Sequence, residues 1–187
     1  MNPEKKDRRI RRTEKQLEDA LLELLKTKSI SKISVRELTD AADITRATFY
    51  KHYRDPDDML SKLQEQMMNT ILELINQTTR KDPMAFFYSL FDYFKNEVSH
   101  PELLFINTTE GSASTRIGKA IIEHYMLMWS EGKVDVVEQD YIYYRTYTVN
   151  GCINVVESWV LRGMKEDPDH MAKLCFSFLP YSRVKDI

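Results

Sequence analysis

Residues 33–60 read ISVRELTDAADITRATFYKHYRDPDDML. Ser34 followed three residues later by Glu37 is a capping box: the serine hydroxyl accepts from an early backbone N–H while the glutamate reaches back. It predicts a brief helix over 35–42 with Val35, Leu38 and Ala42 turned inward. Asp43-Ile-Thr45 breaks that helix, and Thr45 caps a third over 46–53. Asp55, then Pro56 at the first helical position, then two acids in the first turn, launch a long fourth helix over 56–78. Short helix, tight turn, short helix is the helix-turn-helix layout. Its second helix projects the third, whose exposed face can enter a groove about 12 Å wide.

Upstream, Ile10, Leu17, Leu21, Leu24 and Leu25 recur at helical spacing and predict a first helix over 7–28. Arg8, Arg9, Arg11, Arg12 and Lys15 crowd its opening turns, the positive end of the helix dipole. An external anion such as a phosphate would offset that mismatch. Residues 1–62 carry 15 Lys and Arg against 12 Asp and Glu, whereas the rest carries 12 against 17. A basic head on an acidic body suits a polyanionic partner, although a solvated basic helix gives the same count.

Downstream the pattern stays helical: 83–99 with Phe86, Phe87, Leu90, Phe91 and Phe94 as its stripe, a shorter helix from Pro101, another ending at Gly132, one over 138–163, and a last one capped by Asp167-Pro168 and running to Leu179. No hairpin turn separates alternating runs. The fold class expected is all-α, with a three-helix DNA-binding domain over 1–55 (motif about 33–52) and a helical-bundle regulatory and dimerisation domain over 56–187.

Five Gly and six Pro in 187 residues disfavour a loop-dominated chain. The charged start lacks the apolar stretch of a signal peptide, and no run approaches the roughly 18 apolar residues of a membrane span. A cytoplasmic protein with no membrane partner is expected. Cys152 and Cys175, both in apolar helical stretches, read as reduced, buried small side chains. There is no glycine-rich phosphate loop, no GxSxG and no HExxH, and the four histidines have no ligand spacing. No enzyme, metal site or cofactor is expected.

Residues 33–60, above all Thr48-Phe49-Tyr50, His52-Tyr53 and the capped helix at Asp55, resemble the N-terminal domain of the tetracycline-repressor (TetR) family, over residues 8–65. In the body, Trp159 to Gly163 followed by Asp167-Pro168 looks like the C-terminal half of such a regulator. The resemblance implies a base contact from Arg36. It puts Arg46, Ala47, Thr48 and Lys51 on the exposed side of the recognition helix, and Tyr50 and His52 at backbone phosphates. Ser34 and Thr45 would head their helices near phosphate oxygens, and Phe49 would point into the core. Arg pairs with guanine, the Thr methyl meets thymine, and Lys neutralises phosphate. Two departures stand out. Pro56 replaces a lysine common in the family, a contact that Arg54 would have to supply, and Asp57 and Asp58 would serve only their own helix dipole. Asp43 replaces a glycine, and Asp tolerates the left-handed conformation better than most residues.

The aromatic-rich body admits two readings. One is a closed core. The other is a pocket for a small apolar or aromatic effector, drawing on Phe91, His124, Trp129, Tyr144 and Tyr147. Tyr144, Thr148, Gly151 and Val155 on one helix and Met171, Leu174 and Phe178 on the last are expected to form a four-helix homodimer interface. Gly151 costs about 1 kcal/mol inside a helix, which a close helix approach would justify. The function implied is a homodimeric repressor of the TetR type, binding a palindromic operator in double-stranded DNA and released by a small molecule or partner. The alternative is a co-regulator acting by protein–protein contact through the body, with weak or no DNA binding.

Overall fold

The computed structural model describes residues 3–77, 83–108, 113, 115–119 and 141–178. Every extended element among them is a helix: α1 (Pro3–Leu25), α2 (Val35–Ala41), α3 (Arg46–Phe49), α4 (Pro56–Gln77), α5 (Pro83–Asn96), α6 (Tyr141–Leu161) and α7 (Pro168–Ser177). Short 3-10 turns cover Ile30–Lys32 and Pro101–Phe105. The chain divides into two compact units, one reaching Glu65 and taking in Asn107, the other starting at Gln66. The sequence suggested a division at 55/56. The structural one falls inside α4, whose first turns bury Met59, Leu60 and Leu63 in the first unit's core.

In the first unit α1 packs on α2, and α2 on α3. Leu17 and Leu21 of α1, Leu38 of α2 and Phe49 of α3 are almost completely buried. The capping box at Ser34 forms as the sequence predicts. Helix α2 then stops in a Schellman motif, with Ile44 N–H donating to the Thr39 carbonyl at 3.0 Å and Asp43 N–H to Asp40 at 3.4 Å. Asp43 takes the left-handed position, φ 53°. Helix α3 is shorter than expected. Its regular part ends at Phe49, and His52 N–H bonds back to Phe49 at 3.0 Å, an i to i−3 closure that tightens the last turn.

In the second unit the α5 stripe is buried as its spacing required, Phe86, Phe91 and Phe94 almost fully, and α5 packs against α7 through Met171, Ala172 and Cys175. The Trp159 ring meets Phe91 edge-on, centroids 5.0 Å apart, and its indole N–H donates to the Glu166 carbonyl at 3.2 Å. Helix α6 ends in a second Schellman motif, with Gly163 at φ 83°. Residues 115–119 run so close to α6 that a Cβ on Gly118 would lie 2.8 Å from Ile153 Cδ1, so any larger residue would have to displace the end of that side chain.

Candidate nucleic-acid interface

Phe49 has no exposed surface, with its ring packed on Tyr50 at 5.8 Å and Tyr53 at 5.6 Å between centroids. With Phe49 as the inward anchor, the same short helix turns Arg46 and Ala47 outward, followed by Tyr50, Lys51 and His52 in the turn, all exposed; Tyr50 shows 59% of its surface. Five of the expected contact residues therefore share one exposed stretch. Tyr53 is half-buried beneath it. Burial, and then the carboxylates of Glu14, Glu18 and Asp58, push its phenol up to about 12.

The hydroxyls at the two helix starts are committed differently. Thr45 Oγ1 accepts from Thr48 N–H at 3.2 Å and lies 2.9 Å from the Thr48 hydroxyl. That pair uses one proton between them and leaves one for an external acceptor. Ser34 Oγ accepts from Glu37 N–H at 3.2 Å and donates its proton to Glu37 Oε2 at 2.8 Å, so none remains for a phosphate. Lys28 pairs with the same Glu37. That pairing first, then the bonds from Ser34, hold the carboxyl down at about 2. Arg36 is exposed one turn on, with its Nε 3.6 Å from Asp40 Oδ2.

Asp58 does more than serve its helix dipole, contrary to the sequence-based expectation. Its carboxylate accepts from Arg54 N–H at 2.9 Å and Arg54 Nε at 3.2 Å, and it pairs with Lys62 at 3.1 Å. Burial opposes the charge, but these donors outweigh it and keep the carboxyl below its ordinary value. Arg54 remains 81% exposed, so its outer guanidinium nitrogens face solvent where the family's lysine is missing. Lys62 also donates to the His52 carbonyl at 2.9 Å and sits 5.5 Å from the Tyr53 ring centre. It thereby pins the end of the recognition turn to α4. The sequence reading overlooked Lys62; its i, i+4 spacing from Asp58 was the available signal. It also left Gln16 out. Arg12 and Gln16, a turn apart on α1, line an open cleft of about 340 Å³ with Thr45 and Thr48.

The body residues are placed less simply. His124, Trp129 and the side chain of Tyr144 lie outside the described residues. Phe91 is enclosed against Trp159, whereas Tyr147 is 80% exposed. Of the expected interface residues, Thr148 and Met171 are buried within the chain and Val155 is half-buried, while Leu174 and Phe178 are exposed. Gly151 is exposed, with nothing within 4 Å of an added Cβ. Helix α6 bares a further face with Tyr143 and Tyr147 one turn apart, 74% and 80% exposed, and Leu161 beyond them. Ile142 on the same helix is exposed, whereas Val149 and Val156 are buried.

Residues 17–63 match the family described as bacterial regulatory proteins, tetR family, and residues 81–181, more than half the chain, match the transcriptional regulator C-terminal region of TetR-type proteins. An HTH-type transcriptional regulator of Bacillus subtilis (strain 168), YxbF, is 34% identical over 74 residues, 39% of this chain and 19% of that protein. The match thus spans about a fifth of that relative's length. A TetR transcriptional regulator from Streptococcus agalactiae 2603V superposes with a TM-score of 0.59 at 22% identity, covering 94% of this chain and 98% of that one. The dihydroxyacetone kinase operon activator DhaS gives 0.56 at 17% identity, over 92% and 96%. FadR from Bacillus subtilis, solved in complex with stearoyl-CoA, gives 0.53 at 17% identity, over 87% and 95%.

Proposed function

Because this chain belongs to the TetR family of DNA-binding transcriptional regulators, we propose that it is a homodimeric repressor that reads a palindromic operator and is released by a small apolar or aromatic effector. The observation that carries the reading is the outward face of α3 and its turn, where Arg46, Ala47, Tyr50 and Lys51 stand exposed over a buried Phe49. Arg46 and Arg36 supply paired donors for guanine, and the Thr48 methyl suits thymine because its hydroxyl is engaged with Thr45. Lys51, Tyr50 and His52 supply phosphate contacts, which position the protein without reading sequence.

Dimerisation is supported by the exposed rings of α6, by Leu174 of α7 and by Phe178 at that helix's C-terminal cap. A closed two-fold dimer presents two recognition helices to the two halves of a palindrome. Repression requires only occupancy of a promoter; DhaS, of similar fold, is named an activator, so direction of control is part of the proposal. The effector class follows from the aromatic body and is supported by FadR, whose structure holds stearoyl-CoA.

The test starts by selecting bound fragments from a random-sequence duplex pool. Lys51→Ala and Tyr50→Phe should weaken binding to all sequences alike, and Lys51→Ala should lower the salt slope by about one. Arg46→Ala and Arg36→Ala should in addition relax preference at particular base pairs, by about 1–3 kcal/mol. No enrichment by the parent chain, or no loss for any of the four variants, would overturn the DNA-reading assignment and leave the co-regulator reading. A ligand that raises the melting temperature yet never changes operator affinity would remove the effector.

A further inference from the structure

Helix α1 carries Arg12 and Gln16 one turn apart, so both stand on the same face. The fold brings that face beside the turn between α2 and α3, where Arg12, Gln16, Asp43, Thr45 and Thr48 line one open cleft of about 340 Å³. At about 30 Å³ for each water, that volume holds roughly ten waters, enough for a hydrated phosphate group. Arg12 is exposed and forms no ion pair among the described residues, and Gln16 is half-buried. The cleft shares Thr45 and Thr48 with the segment that turns Arg46 and Ala47 outward. A duplex read by that face therefore runs past the cleft.

We propose that the cleft seats one backbone phosphate of the operator, with the Arg12 guanidinium and the Gln16 amide as donors from α1 and Asp43 as an opposing charge that limits how tightly any duplex is held. The inference rests on the DNA-reading assignment above and extends the contact surface from α3 to α1. The unesterified oxygens of a phosphodiester only accept, so their site must offer donors. A guanidinium gives two parallel N–H groups to such oxygens. The Thr45 and Thr48 hydroxyls, 2.9 Å apart, share one proton and leave the other as a further donor.

Asp43 works against these donors. Its backbone, at φ 53°, closes α2 through its own N–H and that of Ile44, so the turn makes no use of the carboxylate. That charge is exposed at the cleft, where it repels a phosphate in a salt-screened way. Phosphate contacts carry no sequence information. A brake on them weakens all duplexes alike and leaves the base contacts of α2 and α3 to decide which site is occupied.

The full chain and a duplex selected by it test the proposal in a salt series. Arg12→Ala should weaken binding, lower the salt slope by about one and leave base preference unchanged. Arg12→Lys should restore the slope, because one positive charge suffices for it. Gln16→Ala should weaken binding with the slope unchanged, because the amide is neutral. Asp43→Asn keeps a residue that tolerates the left-handed turn. It should tighten every duplex several-fold at low salt, with the gain fading at high salt. Thermal melts of each variant serve as the control for folding. An Arg12→Ala chain that keeps the parent slope, or an Asp43→Asn chain with the parent melting temperature that binds no tighter, would overturn the cleft assignment and leave the DNA-reading one standing. Inorganic phosphate should displace the duplex no better than chloride at equal ionic strength; stronger displacement that Arg12→Ala abolishes would make the cleft a small-anion site instead. A parent chain that enriches no duplex would sink both assignments.

Discussion

Replacing Tyr147 with alanine tests the homodimer most directly. The side chain is 80% exposed in the single chain, one turn from Tyr143 at 74%. An aromatic side chain buries roughly 150–250 Å² when covered, so this ring offers about 160 Å². In a two-fold dimer it occurs once per chain, and truncation removes up to about 320 Å² of contact; at roughly 25 cal/mol per Å² that is about 8 kcal/mol for full coverage. A ring covered to half its area would contribute about 4 kcal/mol, close to a thousandfold in the dimer dissociation constant. The entropic cost of association is common to parent and variant and drops out of the difference. Alanine raises helix propensity at an exposed position, so α6 should persist. Sedimentation equilibrium should find the parent at twice the 22.1 kDa chain mass and the variant dissociating at concentrations where the parent does not. A parent that remains monomeric, or a variant that dimerises as tightly as the parent, refutes the assignment of this face.

Phe49→Ala should destabilise the first unit by about 3–5 kcal/mol, since its ring is wholly buried, and a thermal melt should then show the head unfolding before the body. Lys62→Met keeps the aliphatic stem near Tyr53 but removes the donor to the His52 carbonyl. Operator affinity should fall with the salt slope unchanged, and Lys62→Arg should restore part of it; a slope reduced by about one would show instead that Lys62 touches phosphate. The Glu37 carboxyl is held at about 2 against an ordinary 4.5. A lowered folded value means that the capping contribution is complete above 4.5 and is lost as pH falls toward 2. Side-chain NMR titration should find that midpoint, and Glu37→Gln should make the stability of α2 insensitive to pH in this window.

What the sequence by itself determined is what lies within about four residues of each position. Ser34 with Glu37, Thr45, and Asp167 cap the helices that they head, because a cap needs only its own side chain and the next turn's N–H groups. Asp43 could be read as a left-handed residue, and Phe49 and the α5 phenylalanines as core, because periodicity alone assigns a helix its inward face. Tertiary structure decided everything that depends on which face meets which neighbour. An aromatic residue satisfies the same pattern whether it is enclosed like Phe91 or exposed like Tyr147, since spacing does not say what lies opposite. Lys62 stands at i, i+4 from Asp58, but only the fold brings its ammonium to the His52 carbonyl, ten residues away. The boundary between units moved into α4 because Met59, Leu60 and Leu63 bury against the head, a fact of packing and not of capping. Helices α5 and α7, far apart in sequence, pack on one another only in the folded chain. Side-chain chemistry is local, but adjacency across helices exists only once the core has closed.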